Sequence, residues 1–299
     1  MLGSNVPTVG GLATGFRYAD EWGCECIQIY LTLSRRWDVL ELTQQEITKF
    51  KTAWENSSVK KVVAHVPYLV NLASPNKEIR EKSIKRLAIE ISRAITFGVP
   101  FLILHPGSYI EGDRETGIQR IIEALDIIGE QFSTRCPRIL LETMTGQGTM
   151  LGYRFKELAQ ILEGARKKDH LGVCIDTGHL FMAGYDFRGY RGYEEVMAEL
   201  DRIIGLEKIG AFHLNDSKTK LGSRSDRHSC IGEGELGLQV FHALLRDLRF
   251  TNAPMILEIP ERDTRSKDNL ELLRKLQTTS SPISEKRSGV TQLALEEVR

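Results

Sequence analysis

Seven histidines occur in this chain of 299 residues, and five of them close or follow short apolar runs. They are His65 in VVAHVPYLVN, His105 in LILHPGS, His179 in CIDTGH, His213 in KIGAFHL and His228 in SDRHSC. Four carboxylates keep the same company: Glu142 late in ILLETM, Asp176 at the end of LGVCID, Glu258 late in PMILEI, and Asp226 two residues before His228. Singly, most have an ordinary explanation. A lone histidine in an apolar strand is usually a core residue with satisfied ring nitrogens, DTGH reads as a turn into a helix, and a polar loop brings Asp226 and His228 together by chance. Glu142 and Glu258 resist such readings, because a carboxylate in a parallel strand is buried on both sides and is costly unless paired or bound to a cation. Imidazoles and carboxylates without thiolates are the donors that suit zinc and also accept manganese or iron.

What could bring these residues together is visible in the pattern around them. Eight β-branched apolar runs recur: 2–6, 26–32, 59–66, 101–105, 139–144, 171–176, 208–214 and 254–259. Amphipathic segments with helical spacing lie between several of them, at 43–55, 76–98, 116–132, 155–166, 193–204 and 238–248. This alternation predicts βα units around a parallel sheet, and eight units over about 275 residues is the size of a (β/α)8 TIM barrel. The alternative, an open doubly wound sheet, lacks its Gly-x-Gly-x-x-Gly fingerprint after the first strand. The barrel is assigned to residues 1–278 as a single domain, with long loops after the strands. Residues 279–299, which open with a Ser/Thr/Pro cluster, read as a tail.

Bulk composition narrows the class. Lys+Arg and Asp+Glu are equal at 40 each, so no global basic field announces a polyanion partner, and any such partner must be attracted locally. The five cysteines are odd in number and scattered, which suits a reducing compartment. Cys24 and Cys26 lack a second Cys or His pair nearby and read as small buried hydrophobes. The N-terminus lacks a basic n-region, and no apolar stretch approaches the roughly 18 residues of a membrane span. The expectation is a cytoplasmic protein, associated with the nucleoid if prokaryotic, with no membrane partner.

In a barrel, sites form at the C-terminal ends of the strands and in the loops beyond them, and the nine residues fall there. Left unpaired on one rim, five histidines and four carboxylates would be electrostatically untenable. Nine donors exceed one tetrahedral site more than two-fold, so a cluster of two or three divalent ions is implied. Asp216, His170 and His242 read as structural. Pro67, Pro106 and Pro260, one or two residues past His65, His105 and Glu258, bias the backbone there toward extended geometry and so set ligand directions. GEGELG at 232–237 lacks the Lys-Ser/Thr of a P-loop and reads as a Gly-rich entry to the following helix.

The motifs HVPYLVNLASP, LHPGS, LLETMTGQGT, CIDTGHLFMAGYD, FHLNDSKTKLGSRSDRHSCIGEGELG and LEIPER resemble, in order, those of the endonuclease IV family of apurinic/apyrimidinic endonucleases. The similarity runs from about residue 1 to 277 and includes all nine ligand positions. It implies three zinc ions per chain, with Mn2+ or Fe2+ as possible substitutes. His65, His105 and Glu142 would hold one. Glu142 would bridge to a second, completed by Asp176, His213 and Glu258, and His179, Asp226 and His228 would hold the third. The family incises double-stranded DNA 5′ to an abasic site, leaving a 3′-hydroxyl and a 5′-deoxyribose phosphate, and trims blocked 3′ ends. Clustered ions suit that chemistry, since they acidify water and stabilise the attacking and leaving oxygens of an in-line displacement. Glu142, as the bridge, would also be catalytic by orienting or deprotonating that water. Tyr68, Leu69 and one of Arg35 and Arg36, preferably Arg35, match DNA-recognition positions, and Arg224 and Arg227 would extend a positive rim. Many relatives carry a histidine where this chain has Asn5, which touches DNA contact or ligand support but not the nine ligands. The rival reading is a xylose-isomerase-like sugar isomerase or epimerase, which needs Glu142, Asp176, His213 and Glu258 but has no use for the other five. A barrel that binds metal or abasic DNA without activity is a third. A DNA-facing rim needs no second subunit, so a monomer is expected.

Overall fold

Every apolar run becomes a strand in the computed structural model, which describes residues 1–33, 36–132 and 136–280. The strands are β1 (Leu2–Asn5), β2 (Cys26–Ile29), β3 (Lys61–His65), β4 (Phe101–Leu104), β5 (Arg138–Glu142), β6 (Leu171–Asp176), β7 (Ile209–Leu214), the short pair β8 (Asp216–Ser217) and β9 (His228–Ser229), and β10 (Met255–Leu257). All but the short pair close into a parallel barrel in the order β1-β10-β7-β6-β5-β4-β3-β2, the (β/α)8 architecture expected from the alternation.

The helices are α1 (Thr14–Trp22), α2 (Gln44–Glu55), α3 (Lys77–Phe97), α4 (Arg114–Gln131), α5 (Phe155–Gly164), α6 (Thr177–Ala183), α7 (Gly189–Ile203), α8 (Leu238–Arg246) and α9 (Arg262–Thr278). Several start where side chains satisfy free backbone N–H groups. Thr43 and Glu46 cap α2 reciprocally, and Asn76 and Asp113 accept from Ile79 N and Thr116 N, each cap contributing about 1 kcal/mol. Three helices were not expected from periodicity. Two of them, α1 and α9, bury narrow stripes, Phe16, Ala19 and Trp22 in one and Leu270, Leu273 and Leu276 in the other, while α6 is a single short element.

The apolar material forms two bodies. Residues pointing into the barrel, Val63, Ile103, Leu140, Cys174 and Ala211, plug its interior. Those pointing outward meet the helices in the larger core. Because the strands are parallel and the barrel is closed, their C-terminal ends form one rim. Strands stop sooner than the apolar runs, so His105 and Glu258 lie just past β4 and β10 while Glu142 and Asp176 end β5 and β6. In register, Asp176 stands beside His213, and Asn5 beside Gln28.

The connection from β7 to α8, expected as one long loop, contains the β8–β9 hairpin, in which Ser217 pairs with His228. Asp216 organises the rest of it. Its carboxylate accepts from the backbone N–H groups of Ser217, Gly232, Gly234 and Leu236 at 2.7, 3.0, 3.1 and 2.9 Å. Burial pushes its carboxyl up, and the four donors work against that shift. A Cβ on residue 234 would come within 2.4 Å of this carboxylate, which is why glycine stands there. The Gly-rich segment therefore wraps one of the chain's own anions. Arg35 and residues 281–299 of the expected tail lie outside the described residues. Among the described residues no helix is long and apolar enough to cross a membrane.

Candidate metal centre

Glu142 lies at the middle of the rim, wholly buried at the end of β5. One oxygen, Oε2, is 3.1 Å from His65 Nε2 and 3.0 Å from His105 Nε2. The other, Oε1, is 2.9 Å from His213 Nδ1 and 3.4 Å from His179 Nδ1. Burial raises the pKa of a carboxyl, but His213 and His105 outweigh it here and hold Glu142 well below the usual carboxylate range.

The remaining donors gather around this carboxylate. His213 Nδ1 is 3.2 Å from Glu258 Oε2 and 3.8 Å from Asp176 Oδ2. Asp226 reaches across from the hairpin connection to within 3.5 Å of His179 Nε2 and 3.4 Å of His228 Nε2. Three sets of donor atoms lie close enough to share an ion: His65, His105 and Glu142; Glu142, Asp176, His213 and Glu258; and Asp176, His179 and His228. In the last set Asp176 stands where the sequence reading has Asp226. Asp176 Oδ2 is 3.8 Å from His228 Nε2, so it borders both this set and the middle one.

Electrostatics agree with a site built for cations. Burial opposes charging His179 and His213, yet both titrate well above the ordinary histidine value, the first because of Asp176, Asp226 and Glu142, the second because of Cys174, Glu258 and Glu142. Asp226, despite burial, is held down to about 2 by His179 and His228. The Nε2 atoms of His179 and His228 are buried without a hydrogen-bond partner. A buried bare imidazole nitrogen normally costs free energy, and two such atoms facing one carboxylate fit a divalent cation between them.

Several supporting residues carry no signal in the sequence. Thr143 accepts twice, from His179 Nδ1 at its carbonyl and from Asp176 N at Oγ1, both at 2.8 Å. Asn215 donates to Asp176 Oδ2 at 2.6 Å and accepts from Glu258 N at 3.2 Å. Gln28 touches both His213 and Glu258. Polar residues near strand ends are the only hint available, because their partners are far away in the chain.

Around the mouth, Tyr68 is 62% exposed, its hydroxyl bonded to that of Tyr30 and its ring centroid 5.4 Å from that of His105. Leu69 is half-buried beside it. Arg224 lies over the Tyr153 ring at 5.0 Å, as does Arg154, and Arg114 approaches at 5.7 Å. Arg227 donates to the carbonyl of Asp226 at 2.8 Å. Residues read as structural stay away from the centre. His242 has both ring nitrogens engaged, with Tyr190 and the carbonyl of Thr279, while Cys24 and Cys26 are free thiols pushed by burial up to about 12.

The fold has counterparts among known proteins. The xylose isomerase-like TIM barrel family matches residues 16–276. The probable endonuclease 4 of Chloroflexus aurantiacus is 41% identical over 277 residues, covering 92% of this chain and 97% of that protein. That of Geobacter sulfurreducens is 42% identical over 277 residues, covering 92% and 94%. Among solved structures, endonuclease IV from Thermus thermophilus superposes with a TM-score of 0.79 at 33% identity, over 92% of this chain and 98% of that one. A D-tagatose 3-epimerase-like protein, at TM-score 0.68 and 19% identity over 92% and 97%, shares the fold.

Proposed function

We propose, from the premise that this chain belongs to the endonuclease IV family, that it hydrolyses the phosphodiester 5′ to an abasic site in double-stranded DNA with three zinc ions, leaving a 3′-hydroxyl and a 5′-deoxyribose phosphate. It is a metal-dependent DNA-repair endonuclease of the deoxyribonuclease IV type, a phosphoric diester hydrolase of base excision repair. The observation that carries the finer reading is the pair of buried imidazole nitrogens on His179 and His228 that make no hydrogen bond, both 3.4–3.5 Å from Asp226.

The donor set fits zinc, and each residue then has a task. His65, His105 and Glu142 would hold the first ion; Glu142, Asp176, His213 and Glu258 the second; His179, Asp226 and His228 the third, with Asp176 alongside. Bound there, the ions would acidify a water to near neutrality and balance charge on the attacking and leaving oxygens of an in-line displacement. Glu142 reaches two of these groups with separate oxygens, so it sets the spacing between them and orients or deprotonates the water. Manganese or iron(II) would suit the same oxygen and nitrogen donors.

DNA binding follows from the rim. A neutral polypeptide gains local positive charge when three divalent cations sit among four carboxylates, and Arg36, Arg224 and Arg227 extend it. Tyr68 and Leu69, with Arg35, would push into the duplex and hold an abasic nucleotide outside the stack, at a cost of a few kcal/mol per opened step. A single chain carries the nine ligands and these DNA-facing residues, which supports a monomer, and we place it in the cytoplasm. The isomerase reading uses only the middle donor group and leaves the third one, with its two orphaned nitrogens, without a purpose.

A duplex carrying one tetrahydrofuran abasic analogue tests the proposal. The zinc-loaded protein should cut it 5′ to the lesion and leave a 3′-hydroxyl. No incision at full zinc loading sinks the reading, and interconversion of a free ketose and aldose would favour the rival.

A further inference from the structure

Gln28, wholly buried on β2, places both ends of its side-chain amide in the metal centre. Nε2 donates to Glu258 Oε1, and Oε1 lies 2.7 Å from His213 Nε2. These contacts fix one another. A carboxylate accepts and an amide NH2 donates, so the NH2 must face Glu258 and the carbonyl oxygen must face His213. That oxygen needs a donor, so His213 carries hydrogen on Nε2. In neutral imidazole the lone pair is then on Nδ1, the atom 2.9 Å from Glu142 and 3.2 Å from Glu258.

The other histidines do this differently. Nδ1 of His65 and of His179 lies 2.7 and 2.8 Å from the main-chain carbonyls of Val66 and Thr143, so these rings offer Nε2 to the centre. Main-chain carbonyls remain whatever side chains are substituted. His213 is turned the other way, and the acceptor opposite its Nε2 is a replaceable side chain. The neighbouring strand does not duplicate the support, since Asn5, beside Gln28 in register, has a buried Oδ1 without a partner.

We infer that Gln28 is a positioning residue for the middle ion: accepting from His213 and donating to Glu258, it aims two of that ion's four donors at once. The inference rests on the reading of Glu142, Asp176, His213 and Glu258 as an ion site. Residues that hold metal ligands in place through hydrogen bonds typically account for about 10- to 100-fold in metal affinity.

Full-length protein loaded with zinc, Gln28→Met and Gln28→Glu are compared by the zinc each retains against graded chelator, and by the visible spectrum after cobalt(II) replaces zinc. Methionine fills the space without donor or acceptor. One ion per chain should leave Gln28→Met at about 10- to 100-fold lower chelator strength, with an altered cobalt band and unchanged circular dichroism. Gln28→Glu keeps the acceptor for His213 while repelling Glu258, so its retention should fall between the two. A folded Gln28→Met that holds every ion as tightly as the parent overturns the inference. If that variant does not fold, nitrogen-15 shifts of the histidine rings in the loaded parent decide: metal on Nδ1 and hydrogen on Nε2 of His213 supports it, and the reverse overturns it. A parent that takes up no middle ion overturns the underlying site reading too, and shows this before any variant is measured.

Discussion

Two buried acidic regions lie within one connection of each other and solve opposite problems. Around Asp216, the carboxylate meets four backbone N–H groups, so its charge is met by the chain itself. Around Glu142, Asp176 and Asp226, carboxylates face imidazoles, and two imidazole nitrogens near Asp226 make no hydrogen bond. Burial is similar, since Asp216, Glu142 and Asp176 are all fully enclosed. What separates structure from site is satisfaction: a buried polar group whose bonds are complete stabilises a loop, and one left incomplete marks where something else binds.

The comparison breaks most sharply at Glu142. Glu142→Gln should lower incision of an abasic duplex by at least about 1000-fold, with circular dichroism of the folded protein retained. Near-parental activity would remove Glu142 from the chemistry. Leu140→Ala, in the barrel plug, should instead cost about 2 to 5 kcal/mol of unfolding free energy by opening a cavity, with the number of bound ions unchanged. Denaturant titration with metal analysis checks both halves.

Exchanging the two aspartates sharpens the contrast directly. Asp216→Ala leaves several N–H groups without an acceptor and should destabilise even the metal-stripped protein by at least about 2 kcal/mol. Asp226→Ala, at a half-exposed edge, should destabilise the stripped protein less than Asp216→Ala does, but should release one ion. Equal effects of the two substitutions on stripped melting temperature would dissolve the distinction.

The smallest effect is a difference in pH slope. In the stripped protein His179 and His213 titrate above their ordinary value of about 6.5, so the stability they contribute is complete below that pH. It is lost as pH rises through their higher folded values. The zinc-loaded protein should show the opposite trend, because protons compete with cations for the imidazoles as pH falls. Melting curves of both forms from mildly acidic to mildly alkaline buffer test this, and parallel slopes would count against ligation by these rings.

Much of the architecture was legible because it is written in local periodicity. Apolar runs and amphipathic segments recur at the barrel's interval, while α1 and α9 escaped notice because their buried stripes are thin among charged neighbours. The candidate ligands were legible for another reason: imidazole and carboxylate groups at the ends of buried strands are too costly to be accidental in such number.

The amino-acid sequence by itself determined the alternation of elements, the side of the barrel on which titratable residues accumulate, and the donor types available there. Only the tertiary structure decided which nitrogen each histidine turns inward, that Asp176 borders two donor groups, that Asp216 is fully bonded, and that Gln28 joins His213 to Glu258. Those outcomes depend on hydrogen bonds between residues as much as 230 positions apart, which closure of the barrel brings into contact and no local pattern encodes.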